Sequence, residues 1–117
     1  MKMLILFFLF MFTEQPRQVL LFYTSNGKTA HDKQLAELKK HKSGVMERDI
    51  EIKSYLYSPE TDSEWRKNKI DTDSSFTFIL IGRDGGEKYR AVVPVSAATL
   101  FGQIDAMPMR RTEMKKE

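Results

Sequence analysis

The segment FYTSNGKTAHD, residues 22–32, gathers side chains with chemical reach: the hydroxyls of Thr24 and Ser25, the amide of Asn26, the ammonium of Lys28 and the imidazole of His31. It follows an apolar run and opens a helical pattern, the position at which helix N-terminal amides can meet a ligand. A phosphate loop of the form G-x-x-x-x-G-K-[ST] would end on Gly27, Lys28 and Thr29, but its first glycine would then fall on Phe22. A phenylalanine cannot make the turn that wraps a phosphate, so only a general anion site at a helix N-terminus survives from that reading. Ser25 with His31 as base is the minimum of an activated serine, because the imidazole has to take the hydroxyl proton. The plainer alternative has Thr29 capping the helix while Ser25 and Asn26 form a turn.

A second group is Asp105, Met107, Met109, Arg110 and Glu113 in DAMPMRRTE. Read structurally, the methionines fill irregular gaps and the charges pair with one another. Read functionally, a guanidinium fork beside exposed methionines is an adaptable binding surface.

Several chemistries drop out. The 117 residues contain no cysteine, which excludes disulfides, thiolate nucleophiles and thiolate metal sites. His31 and His41 are ten residues apart and turn to different faces of a helix, while Asp71 and Asp73 lack the glycine and terminal glutamate of a calcium loop. No metal and no cofactor is expected. The net charge of +3 is no nucleic-acid signature, and Lys33, Lys39, Lys40 and Lys42 are interrupted by acids and lack interleaved aromatics. Nucleic acid is therefore not an expected partner.

The elements that must position these residues follow from hydrophobic period. Residues 1–13, MKMLILFFLFMFT, set one lysine before ten apolar residues. That is the layout of a secretory signal peptide, too short to span a bilayer, although no small-x-small cleavage triplet follows. The chain is expected to be exported, periplasmic or secreted, with residues 14–117 as one domain; an uncleaved leader would be its sole tie to a membrane. QVLLFY (18–23) reads as a strand covered on both faces at the sheet centre. Thr29 and Asp32 have capping-box spacing for a helix over 30–42 that Gly44 ends. RDIEIKSYL (48–56) alternates Ile50 and Ile52 with charges, as an edge strand does. A short polar helix anchored by Trp65 and Ile70 precedes SFTFILIG (75–82), and Asp84-Gly85 turns that strand back into EKYRAVV as a hairpin. Ser96 caps a last helix carrying Leu100, Phe101 and Ile104; Pro108 interrupts it, and the charged tail RRTEMKKE is expected to fray.

A right-handed crossover pairs the first two strands in parallel, and the hairpin adds an antiparallel edge. The result is an α/β, thioredoxin-like β-α-β-α-β-β-α chain: a four-stranded mixed sheet with helices on both faces and no C-x-x-C. In redox-active proteins of that arrangement the loop after the first strand carries the cysteine pair. Here Thr24 to Lys28 stand in its place, and Ser75 occupies the position of a cis-proline. Hydroxyls cannot replace thiolates, so dithiol redox chemistry is excluded.

ERDIEI (47–52), FILIGRDGGEKYR (78–90) and LFGQIDAMPMRRTEM (100–114) resemble the bacterial DUF4174 family, a domain of unknown function usually found behind a signal peptide and related to domains of animal extracellular sushi-repeat proteins. The resemblance spans about residues 17–114. Arg17, Arg48, Asp49, Gly82, Asp84, Gly85, Lys88, Asp105, Met107, Pro108, Met109, Arg110 and Glu113 match its pattern. It implies a thioredoxin-like or peroxiredoxin-like fold and an exported location, and no established activity. The functional expectation is a protein- or peptide-binding module without catalysis. The alternatives are a cysteine-independent enzyme built on the loop of Thr24, Ser25, Asn26, Lys28 and His31, and a purely structural domain.

Overall fold

The computed structural model describes residues 15–115, and the leader expected over residues 1–13 lies outside them. In chain order the elements are β1 (Arg17–Tyr23), a single 3-10 turn (Ser25–Gly27), α1 (Lys28–Lys40), α2 (Lys42–Glu47), β2 (Ile50–Leu56), α3 (Asp62–Lys67), β3 (Phe76–Ile81), β4 (Glu87–Ala91), α4 (Ala97–Asp105) and α5 (Pro108–Lys115). The sheet order is β2-β1-β3-β4. β1 runs parallel to β2, with Arg17 opposite Ile50 and Tyr23 opposite Leu56, and antiparallel to β3, with Gln18 opposite Ile81.

Alternation along the two central strands splits the core into layers. Val19, Leu21, Phe76, Phe78 and Leu80 pack with Leu38 of α1, Val45 of α2 and Leu100 and Ile104 of α4. Leu20, Phe22 and Ile79 face the other way and pack with Trp65 of α3 and Ile70. Phe22 meets Trp65 edge-on at 5.6 Å and stacks on Tyr55 at 5.0 Å. The central strands are therefore buried on both sides, which is why they read as continuous apolar runs.

Three expectations are corrected. Thr29 is not a cap: α1 starts at Lys28, two residues before the expected start, behind Gly27 and with no side-chain cap, and Asp32 bonds to Lys28 and His31 instead. Gly44 does not end the helical segment but sits inside α2 after a break at His41. A Cβ there would lie 2.6 Å from the Phe101 ring, so glycine serves close approach of α2 to α4 rather than termination. The tail does not fray over the described residues. Pro108 is the first residue of α5, where its missing N–H costs nothing, and Arg110 on that helix is buried.

The hairpin forms where expected. Gly85 has φ 83°, Gly82 and Gly86 close the turn by backbone bonds, and Asp84 Oδ1 accepts from the Gly86 N–H at 2.9 Å.

Candidate functional site

Seven residues of strand at roughly 3.3 Å each make β1 about 20 Å long, and the two groups of candidate residues sit at its opposite ends. The C-terminal group lies at the Arg17 end, where β1 and β2 begin and β3 finishes. The Thr24–His31 group lies at the Tyr23 end.

At the Arg17 end four guanidiniums meet four carboxylates. Arg17, 1% exposed, donates to Glu113 at 3.1 and 3.4 Å and to the Arg48 carbonyl at 2.8 Å. Arg48 grips Asp105 through Nε at 3.1 Å and Nη2 at 2.9 Å, and its guanidinium lies 4.0 Å over the Phe101 ring. Arg110, 2% exposed, donates to Asp105 at 3.1 Å and Glu47 at 2.9 Å and lies 3.5 Å from Glu113. Arg83 donates to Glu113 at 2.9 Å and Asp49 at 3.0 Å. The Arg48 hydrogen bond, supported by Arg110, holds the Asp105 carboxyl below its ordinary pKa. Burial alone would raise Glu113, but Arg17 and Arg83 outweigh it and pull it down. Asp49, the residue that turns the chain into β2, does so at φ 53°, a left-handed conformation that aspartate tolerates.

The predicted residues Asp105, Met107, Arg110 and Glu113 thus come together, but as fabric. Arg110 has its charge spent on three internal carboxylates and is closed to solvent. Met107 packs against the core from its edge, while Met109 is 45% exposed. Beside them lies a cleft of about 320 Å³, with the hairpin residues Gly82, Arg83, Asp84 and Lys88 on one wall, Met107, Pro108 and Met109 on the other, and Arg17 between. Lys88 crosses Gly82 closely, since a Cβ on Gly82 would lie 2.6 Å from its Cε, and it bonds to Asp84 at 2.9 Å. Sequence reasoning missed Arg83 and Lys88 as cleft residues; their signal was the charge flanking both sides of the RDGG turn. A larger cleft of about 460 Å³ between α1 and the segment Pro94–Ser96 contains no candidate residue, and volume does not decide between them.

At the Tyr23 end, the loop is packed hard against the start of β3. Thr24 N–H donates to the Ser75 carbonyl at 3.0 Å, and a Cβ on Gly27 would lie 1.9 Å from that same oxygen. Ser25 and Asn26 form the 3-10 turn and are exposed. His31 is buried, stacked on Tyr23 at 3.9 Å, and its Nε2 meets Ser54 Oγ at 2.8 Å rather than Ser25. Its Nδ1 lies 3.1 Å from Asp32, which Lys28 holds at 2.8 Å. The bond to Lys28, then that to His31, lowers the Asp32 pKa. Ser54 was overlooked, although it takes the third place in the Ile50, Ile52 series, where an apolar residue would continue the pattern. Among the described residues no group of three His, Asp or Glu side chains is arranged to hold a metal ion.

A mixed sheet of order β2-β1-β3-β4, with helices on both faces and a loop after the first strand at the redox position, defines the thioredoxin-like class. Solved structures with that fold include thioredoxin-2 of the malaria parasite, described as a component of its protein secretion machinery (TM-score 0.61, 22% identity, 79% of this chain and 84% of that one). The mitochondrial 2-Cys peroxiredoxin of Plasmodium falciparum is similar too (TM-score 0.65, 15% identity, 91% and 82%), as is the reduced 2-Cys peroxiredoxin of Plasmodium vivax (TM-score 0.62, 17% identity, 87% and 80%). At such identities the likeness is one of fold. The chain belongs to the DUF4174 family, a domain of unknown function, whose family model matches residues 8–113. No curated protein sequence matches it.

Proposed function

We propose that this is an exported thioredoxin-like domain that binds a protein or peptide, without dithiol turnover, in the cleft between the β3–β4 hairpin and α5. The observation that carries the reading is the composition of that cleft: Met107, Pro108 and the exposed Met109 face Arg83 and Lys88 across about 320 Å³. Flexible thioethers adapt to varied side chains, and Lys88, whose ammonium has donors beyond its one bond to Asp84, can meet a backbone carbonyl, which together suit a polypeptide better than a rigid small molecule. Asp105, Arg110 and Glu113 serve by fixing α5 against the sheet. Export rests on the charge-then-apolar sequence of residues 1–13.

The test is binding of polypeptides from the host's exported fraction to immobilised wild-type domain and to Met109→Glu. Loss of a specific partner with an unchanged melting temperature supports the reading. Equal retention by both proteins removes the cleft from it.

A further inference from the structure

The Tyr23 end holds an arrangement that goes beyond the binding reading and stands independently of it. Asp32 as a carboxylate can only accept, so the proton between it and His31 belongs to Nδ1, and Nε2 presents its lone pair to Ser54 at 2.8 Å. Ser54 Oγ–H is then the donor. Stacking on Tyr23 at 3.9 Å with 12° between the planes and a ring only 8% exposed keep the imidazole in that orientation. Lys28, 2.8 Å from Asp32 on the next turn of α1, favours the ionised carboxylate. Ser54 itself is exposed on an edge strand. A reachable hydroxyl, a base of fixed tautomer and an ionised orienting group are the three parts of a serine nucleophile.

We propose that Ser54, His31 and Asp32 form a nucleophilic site that transfers the acyl group of a small ester to Ser54 and then to water. Ser54 Oγ attacks the carbonyl carbon as its proton passes to His31 Nε2. The ester C–O bond breaks, and Nε2 returns that proton to the leaving oxygen, releasing the alcohol. Water then attacks the acyl carbon, giving one proton to Nε2; the Oγ–C bond breaks, the carboxylic acid leaves, and Ser54 recovers its proton. Outward N–H groups of edge strand β2 are the donors available to the oxyanion. Among the described residues Ser54 lines neither cleft, and the surface beside it is a ledge of Leu56, 45% exposed on the same strand face, and Tyr23, its register partner. The substrate class is accordingly a short-chain ester.

The experiment treats the folded protein with a fluorophosphonate, maps the labelled residue by mass spectrometry, and follows p-nitrophenyl acetate hydrolysis in parallel. The expected label is on Ser54, absent from Ser54→Ala, unchanged in Ser25→Ala and slowed about tenfold or more in Asp32→Asn, with all variants melting like the wild type. No label on Ser54, or a Ser54 label and hydrolysis rate that Asp32→Asn leaves unchanged, would overturn the proposal.

Discussion

Arg17 and Glu113, 96 positions apart, close a two-pronged ion pair at 3.1 and 3.4 Å that ties the first residue of β1 to α5. Arg48 does the same for α2 and α4 through Asp105. Motifs from three separate regions of the chain thereby become one electrostatic assembly, and the cleft is its outer surface.

Removing Arg110 empties a buried site on α5 and strips Glu47 of its nearest cation, while Asp105 keeps Arg48 and Glu113 keeps Arg17 and Arg83. Arg110→Ala is expected to cost about 2–4 kcal/mol, on the scale of breaking a buried pair, which lowers the melting temperature by roughly 8–20 °C. Thermal unfolding followed by circular dichroism reads this directly. A change within about 0.5 kcal/mol would place Arg110 outside the fold's support.

Acid should weaken the same assembly. Asp105 is depressed chiefly by Arg48, and Glu113 by Arg17 and Arg83 against its own burial. Their contribution is present above the unfolded carboxylate values of about 4 and is lost as pH falls through the lower folded values. Melting temperature is expected to drop as pH falls below about 4, and the gap between wild type and Asp105→Asn to shrink over the same descent.

Gly27→Ala tests how firmly the redox-position loop is fixed. Its new methyl would lie 1.9 Å from the Ser75 carbonyl oxygen, which already accepts from Thr24, so backbone must move. A loss of about 2–3 kcal/mol in urea unfolding is expected. A neutral result would mean that the loop gives way freely.

Much of this was legible in the sequence, for identifiable reasons. QVLLFY and FTFILI could be placed at the sheet centre because strands covered on both faces leave no polar positions. The Asp84-Gly85 turn carries its own chemistry. What pattern could not supply was long-range pairing: nothing local says that Arg110 is 2% exposed, since its burial depends on Asp105 and Glu47, the latter 63 residues away. A tail of alternating charges reads as solvated until its partners from α2 and β1 are in view. Gly44 misled for a related reason, because its cause is the Phe101 ring on another helix.

In the cleft, Met109→Ala should separate binding from stability. Its side chain is 45% exposed and outside the core, so the melting temperature should hold within about 0.5 kcal/mol of stability, while partner affinity falls about fivefold or more. Isothermal titration with a recovered partner gives both affinity and stoichiometry.

The most direct measurement is photo-crosslinking from p-benzoylphenylalanine placed at position 109 and, separately, at position 25, with the host's exported polypeptides present. The expected result is a discrete adduct from position 109 that excess unmodified domain competes away, and none from position 25. An adduct from position 25 alone, or none from position 109 in a folded domain, would contradict a binding surface in the cleft.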